Sequence, residues 1–176
     1  MIELIFDSNS LITACKCHYQ KSPVLDYFLA NCVITVPRAV EIEVVDVGSM
    51  YADALFAESL IDMGKIKVEN VSQTPSDILM HYKLGVGERE AIMLSLQMKG
   101  KADFLVTDDR LAFVIRDRLG IAKILFLDLI VEFVKKNLMD SNLAQAIVHA
   151  VKSRYQEEFL YHTLKILETE SPNGKG

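Results

Sequence analysis

The chain has 176 residues, about the size of one ordinary domain, so it can bury a single sizeable core and is too short for two well-formed ones. Its net charge of −5 argues against a protein that holds nucleic acid by a broad basic surface, although an acidic pocket can still draw a phosphodiester through bound divalent cations. With no long apolar run and no basic-apolar amino terminus, a soluble, cytoplasmic protein without membrane contact is expected, and the three cysteines (Cys15, Cys17, Cys32) should be reduced thiols.

In chain order, "MIELIF" is an apolar, β-compatible run followed by "DSNS", whose residue types favour turns and helix caps. A helix through "SPVLDYFLAN" leads to "CVITVP", a second strand closed by Pro37, which is well placed to start the helix "RAVEIEVVDVG" ending near Gly48. "MYADALFAESLIDMG" reads as a helix stopped by Gly64, and "KIKVENV" as a third strand of alternating polarity. A short helix, "TPSDILMHYK", with a Thr cap and proline behind it, precedes a longer one in "GVGEREAIMLSLQMKG". "ADFLVT" is the fourth strand, "RLAFVIRDRLG" its helix, "AKILFL" a fifth short strand and "DLIVEFVKKN" the next helix. Two further helical patterns, "NLAQAIVHAVK" and "EFLYHTLKILE", complete one domain over 1–168, and the polar, turn-forming tail 169–176 reads as disordered. Strands alternating with helices imply a parallel sheet with helices on both faces, and such sheets bind ligands outside the carboxyl ends of their strands.

Acidic residues fall at those ends. Asp7 follows the first strand, and Asp108 and Asp109 follow the fourth, where one aspartate can cap the next helix and leave its neighbour unexplained. Glu88 shares a helix face with Ala91, Ile92 and Ser95, an apolar stripe on which a carboxylate is costly unless something satisfies it. Glu41 and Glu43 both flank the stripe of Val40, Val44 and Val47, and periodicity does not choose between them. Helix capping, dipole interaction and solvated surface are the bland accounts of each residue alone. Together, converging carboxylates would repel one another and take up protons unless hard cations relieve them. Mg²⁺ takes oxygen ligands, and two ions about 4 Å apart can promote in-line displacement at phosphorus.

In "IFDSNSLI", "VPRAVEIEV", "GVGEREAIMLSL" and "FLVTDDRLA", taken in this order, the chain resembles the PIN-domain family, small metal-dependent nucleases that include VapC-type toxins, from Met1 to about Leu127. The resemblance implies a three-layer α/β/α fold around a five-stranded parallel sheet of order 3-2-1-4-5, here with extra carboxyl-terminal helices. It places the acidic set at Asp7, Glu43 rather than Glu41, Glu88 and Asp109, with Asp108 as an adjacent alternative ligand and Asn9 and Thr107 as polar orienters. It further implies one or two Mg²⁺ or Mn²⁺ ions, endonucleolytic hydrolysis of single-stranded RNA, and the role of toxin in a toxin–antitoxin pair, with an antitoxin and a homodimer as partners. The glutamate at position 88 and the doubled aspartate depart from the family's usual pattern.

Other readings carry less. "CKCH", with Cys32, has one residue between its cysteines where structural zinc sites have two to four, and His81, His149 and His162 stand singly. Gly85 and Gly87 read as a turn with no phosphate-binding loop around them. Lys16, Lys21, Arg38, Arg89 and Arg110 are the cations that could meet RNA phosphates. A catalytically silent PIN-like scaffold is the main alternative. A receiver domain would need an aspartate at the end of the third strand, which "KIKVENV" lacks.

Overall fold

A computed structural model describes residues 1–46, 50–72, 77–109, 115 and 118–170, with the side chains of residues 77 and 78 left aside. The first apolar run forms β1 (Ile2–Phe6), and because side chains alternate along a strand, Leu4 and Phe6 pack into one buried cluster while Ile5 packs into another. A strand buried on both faces belongs in the middle of a sheet. β1 pairs in parallel with β4 (Cys32–Pro37) on one side and β6 (Phe104–Val106) on the other. β5 (Ile66–Glu69) and β7 (Lys123–Ile124) form the edges. The order β5-β4-β1-β6-β7 is that of the five expected strands taken as 3-2-1-4-5. A two-stranded hairpin, β2 (His18–Tyr19) with β3 (Ser22–Pro23), which the sequence reading did not anticipate, stands apart from this sheet.

α1 (Ser8–Lys16) starts directly after β1, with Asp7 as its cap. α2 (Val24–Leu29) is shorter than expected because Ser22 and Pro23 belong to the hairpin. The helix after Pro37 is not continuous: α3 (Arg38–Glu41) passes into a π-helical turn, Ile42–Asp46, a widening found frequently at functional sites. α4 (Ala52–Asp62) ends before Gly64, whose φ of +70° suits a glycine stop. α5 (Asp77–Met80) and α6 (Val86–Gln97) follow, and α6 buries Ala91, Ile92 and Ser95 as expected. The expected fifth strand is cut to two residues. Phe126 and Leu127 instead open α7 (Phe126–Lys135), where Phe126 meets Phe6 and Phe28 edge-on at 6.4 and 5.6 Å and Phe28 meets Phe133 at 5.1 Å.

α8 (Ser141–Ala150), capped by Asp140, and α9 (Glu157–Glu170), separated by a 3₁₀ turn (Lys152–Arg154), pack their apolar stripes onto the same cluster as α7. Thr169 and Glu170, placed in the tail by the sequence reading, are helical. The expected helix start at Thr74 and Pro75, the stop at Gly48, Arg110 with most of its helix, and residues 171–176 lie outside the described residues. Among the described residues no helix is long and apolar enough to cross a membrane. The three cysteines are free and buried; burial pushes the Cys15 and Cys32 thiols up to about 12, and Cys17 also rises.

Candidate active site at the carboxyl edge of the sheet

The register Phe6↔Val106 puts the residues after these two strands, Asp7 and Thr107, side by side where the chain has turned from one half of the sheet to the other. The junction is tied twice to the Val106 carbonyl, by the Asp7 N–H at 3.3 Å and the Ser10 hydroxyl at 3.2 Å. Asp7 is 1% exposed, and its Oδ1 accepts from the Ser10 N–H at 2.8 Å, an N-cap that fixes the carboxylate at the positive end of α1.

Of the two glutamates that periodicity left open, Glu41 pairs with the exposed Arg38. Glu43 turns inward from the π-helical turn. Its Oε1 accepts from the Gly87 N–H at 2.8 Å, and its Oε2 accepts from the Ser8 hydroxyl. Gly87 is therefore part of the site and lies in the first turn of α6, not in a turn before it. A β-carbon there would crowd Glu43 Oε2 and stand 2.8 Å from Ser8 Oγ, so glycine at 87 leaves room for the Glu43 carboxylate in its present place. Glu90, two residues beyond Glu88, ties the same helix to α3 by accepting from the Ala39 N–H at 3.0 Å.

Glu88 sits in the first turn of α6, with Oε2 accepting from the Gly85 N–H at 3.0 Å. Its carboxyl is pushed above the ordinary glutamate range, chiefly by burial. The Gly85 N–H pulls the other way, and the charges of Asp109, Asp7 and Glu43 add to the rise. Charges from three other segments thus reach Glu88 at this edge.

The paired aspartates have different surroundings. Asp108 Oδ1 accepts from the Phe126 N–H at 3.1 Å, at the start of α7, and its Oδ2 accepts from the Tyr155 hydroxyl at 2.5 Å. Burial and the neighbouring Asp108 charge raise the Tyr155 phenol far above its usual range, so it remains a donor. Asp109 is the member of the pair whose charge reaches Glu88, and its N–H donates to the buried Thr107 hydroxyl at 3.2 Å. Asn9 is exposed on the rim of the neighbouring cavity, and it is its neighbour Ser8 whose hydroxyl meets Glu43.

Neither Ser8 nor Gly87 was singled out from sequence. The signal for Ser8 was its place beside Asp7 at a helix start, which capping alone explained. For Gly87 it was a glycine inside a helical pattern, which costs about 1 kcal/mol relative to alanine and so asks for a reason.

A hard divalent cation suits this donor set, which is all carboxylate oxygen. As they stand, no group of three or more His, Cys, Asp or Glu side chains among the described residues could hold a metal ion, and the oxygens of Glu43 and Asp108 are engaged by protein donors.

A family model described as a PIN domain matches residues 3–168, including the carboxyl-terminal helices that lie beyond the motifs read from sequence. Among solved structures, a domain of a functionally unknown protein from Methanocaldococcus jannaschii DSM 2661 is similar at 18% identity and a TM-score of 0.42, covering 71% of this chain and 91% of that chain. No curated protein matches the chain. PIN domains are generally nucleases and typically bind divalent metals. A match running from residue 3 to 168, over a five-stranded parallel sheet with helices packed around it, shows that the chain belongs to the PIN-domain family.

Proposed function

We propose that the protein is a divalent-metal-dependent endoribonuclease that hydrolyses phosphodiester bonds of single-stranded RNA, with Asp7, Glu43, Glu88 and Asp109 as the residues that hold Mg²⁺ or Mn²⁺. The observation that carries this reading is geometric: the Phe6↔Val106 register sets Asp7 beside the segment that carries Asp109, and α6 brings Glu88 together with Gly87, whose N–H holds Glu43. When bound, the cation supplies Lewis-acid stabilisation of charge developing on the phosphate and lowers the pKa of an attacking water. The chain's own groups orient the ligands. Ser8 and the Gly87 N–H hold the Glu43 carboxylate, the Ser10 N–H holds Asp7, and Thr107 fixes the backbone that carries Asp109. Asp108 serves as a positioning residue that links this edge to Tyr155 and α7.

The test is calorimetric titration of Mn²⁺ into the wild-type chain and the Asp7→Asn variant, followed by cleavage of single-stranded RNA. Asparagine is also a good N-cap, so the variant should fold. Binding and cleavage that disappear together with Asp7 are expected; undiminished metal-dependent cleavage by the variant refutes the assignment. The toxin role is proposed on the family resemblance, and induced expression should arrest growth in a manner that Asp7→Asn abolishes.

A second reading, a catalytically silent binding module, is favoured by the engagement of Glu43 and Asp108 with protein donors. It predicts neither Mn²⁺ binding nor cleavage by the wild-type chain.

A further inference from the structure

A cavity of about 700 Å³ opens directly beside the acidic edge, large enough for a nucleotide-sized ligand. Asp108, Asp109 and Asp128 line it together with Arg154, Tyr155, Phe159 and His162 of the carboxyl-terminal segment. The carboxyl-terminal contribution is aromatic and, at Arg154, cationic. The Tyr155 ring is stacked on Phe126 and its hydroxyl is fixed to Asp108, so it is a rigid surface. Phe159, on the first turn of α9, is 49% exposed, a large apolar ring left beside polar groups. Arg154 donates from Nε to Thr13 Oγ1 at 3.2 Å, and it also lines a second hollow of about 540 Å³ with Lys16, His18 and Ser153. In a chain of net charge −5, Arg154 thus borders both hollows and shares the second with Lys16.

Resting on the nuclease reading above, we propose that this cavity is a nucleoside subsite for the substrate strand. Phe159 stacks the base, and Arg154 meets the adjoining phosphate, from which the strand continues toward Lys16 and His18. Aromatic rings accept any base face, and the guanidinium suits a phosphate, so the combination fits a single strand of unrestricted sequence.

The experiment measures fluorescence anisotropy of a fluorescein-labelled, eight-nucleotide single-stranded RNA titrated with the protein in EDTA, where metal-dependent cleavage cannot occur. Phe159→Ala should weaken binding by about tenfold, Phe159→Tyr should retain it, and Arg154→Gln should weaken it and reduce the slope of affinity against salt by about one. A thermal melt of Phe159→Ala matching the wild type excludes a folding defect. Wild-type affinity in Phe159→Ala overturns the subsite, as does absence of binding by the wild-type chain. Loss of self-association in Phe159→Ala without a change in RNA affinity overturns it in favour of a protein contact. Phe159-dependent binding without Mn²⁺-dependent cleavage would sink the nuclease reading and keep the subsite; cleavage with Phe159-independent binding would do the reverse.

Discussion

Gly87→Ala tests whether the helix α6 and the π-helical turn are joined through a carboxylate. The added methyl group would fall 2.4 Å from Glu43 Oε2 and 2.8 Å from both Glu43 Cδ and Ser8 Oγ, so the Glu43 head must leave its present place. Leaving means breaking the 2.8 Å bond from the Gly87 N–H and the bond from Ser8. Each hydrogen bond to a charged group contributes roughly 1.5–3 kcal/mol, and replacing glycine within a helix returns up to about 1 kcal/mol. Glu43 is half-buried, so water can recover part of the loss. The net expectation is destabilisation by about 1–3 kcal/mol, which for a domain of this size lowers Tm by roughly 2–12 °C. Urea unfolding and a thermal melt read the stability, and Mn²⁺ titration reads the site. Weakened Mn²⁺ binding should accompany the lower Tm, because the methyl group moves a ligand. A variant as stable as the wild type with unchanged Mn²⁺ affinity would refute both the close approach and the role of Glu43.

The paired aspartates should separate by phenotype: Asp108→Ala should cost about 2–4 kcal/mol by abandoning the Phe126 N–H and the Tyr155 hydroxyl, whereas Asp109→Asn should abolish cleavage with little change in urea midpoint. Equal stability losses in the two variants would contradict this division. Glu88 has a folded pKa raised above 4.5, so its contribution to stability is fully present below that pH and is lost as pH rises through the raised value. Metal-free Glu88→Gln should accordingly gain Tm relative to wild type as pH is increased from 4.5, and a pH-independent difference would count against the coupling. With Cys15 and Cys32 near 12 and Cys17 also raised, all three thiols should react slowly with a disulfide reagent at pH 8 and rapidly in denaturant; fast native labelling would show that they are not buried.

The acidic positions at strand ends were legible because the same local pattern, an apolar β-branched run broken by turn-forming residues, marks both the strand and the edge where it stops. Asp7 and Asp109 are found that way, and Glu88 by the helical face it shares with Ala91 and Ile92. The choice between Glu41 and Glu43 could not be read locally, since it depends on the N–H of Gly87, 44 residues away, and on a π-helical turn within an ordinary-looking helical run. The different surroundings of Asp108 and Asp109 likewise depend on Tyr155, 47 residues beyond Asp108.

Hydrophobic periodicity was enough for the five main strands, most helices and the α/β class, because burying alternate or every third and fourth side chain is a property of neighbours in sequence. The family motifs added the strand order. The tertiary structure alone decided which carboxylate turns inward, that a glycine had to stand at 87, that Phe126 starts a helix and not a strand, and that the carboxyl-terminal helices wall a cavity beside the acids. Those outcomes rest on contacts between distant segments, where a hydrogen-bond donor or a ring supplied by one element sets the direction of a side chain on another.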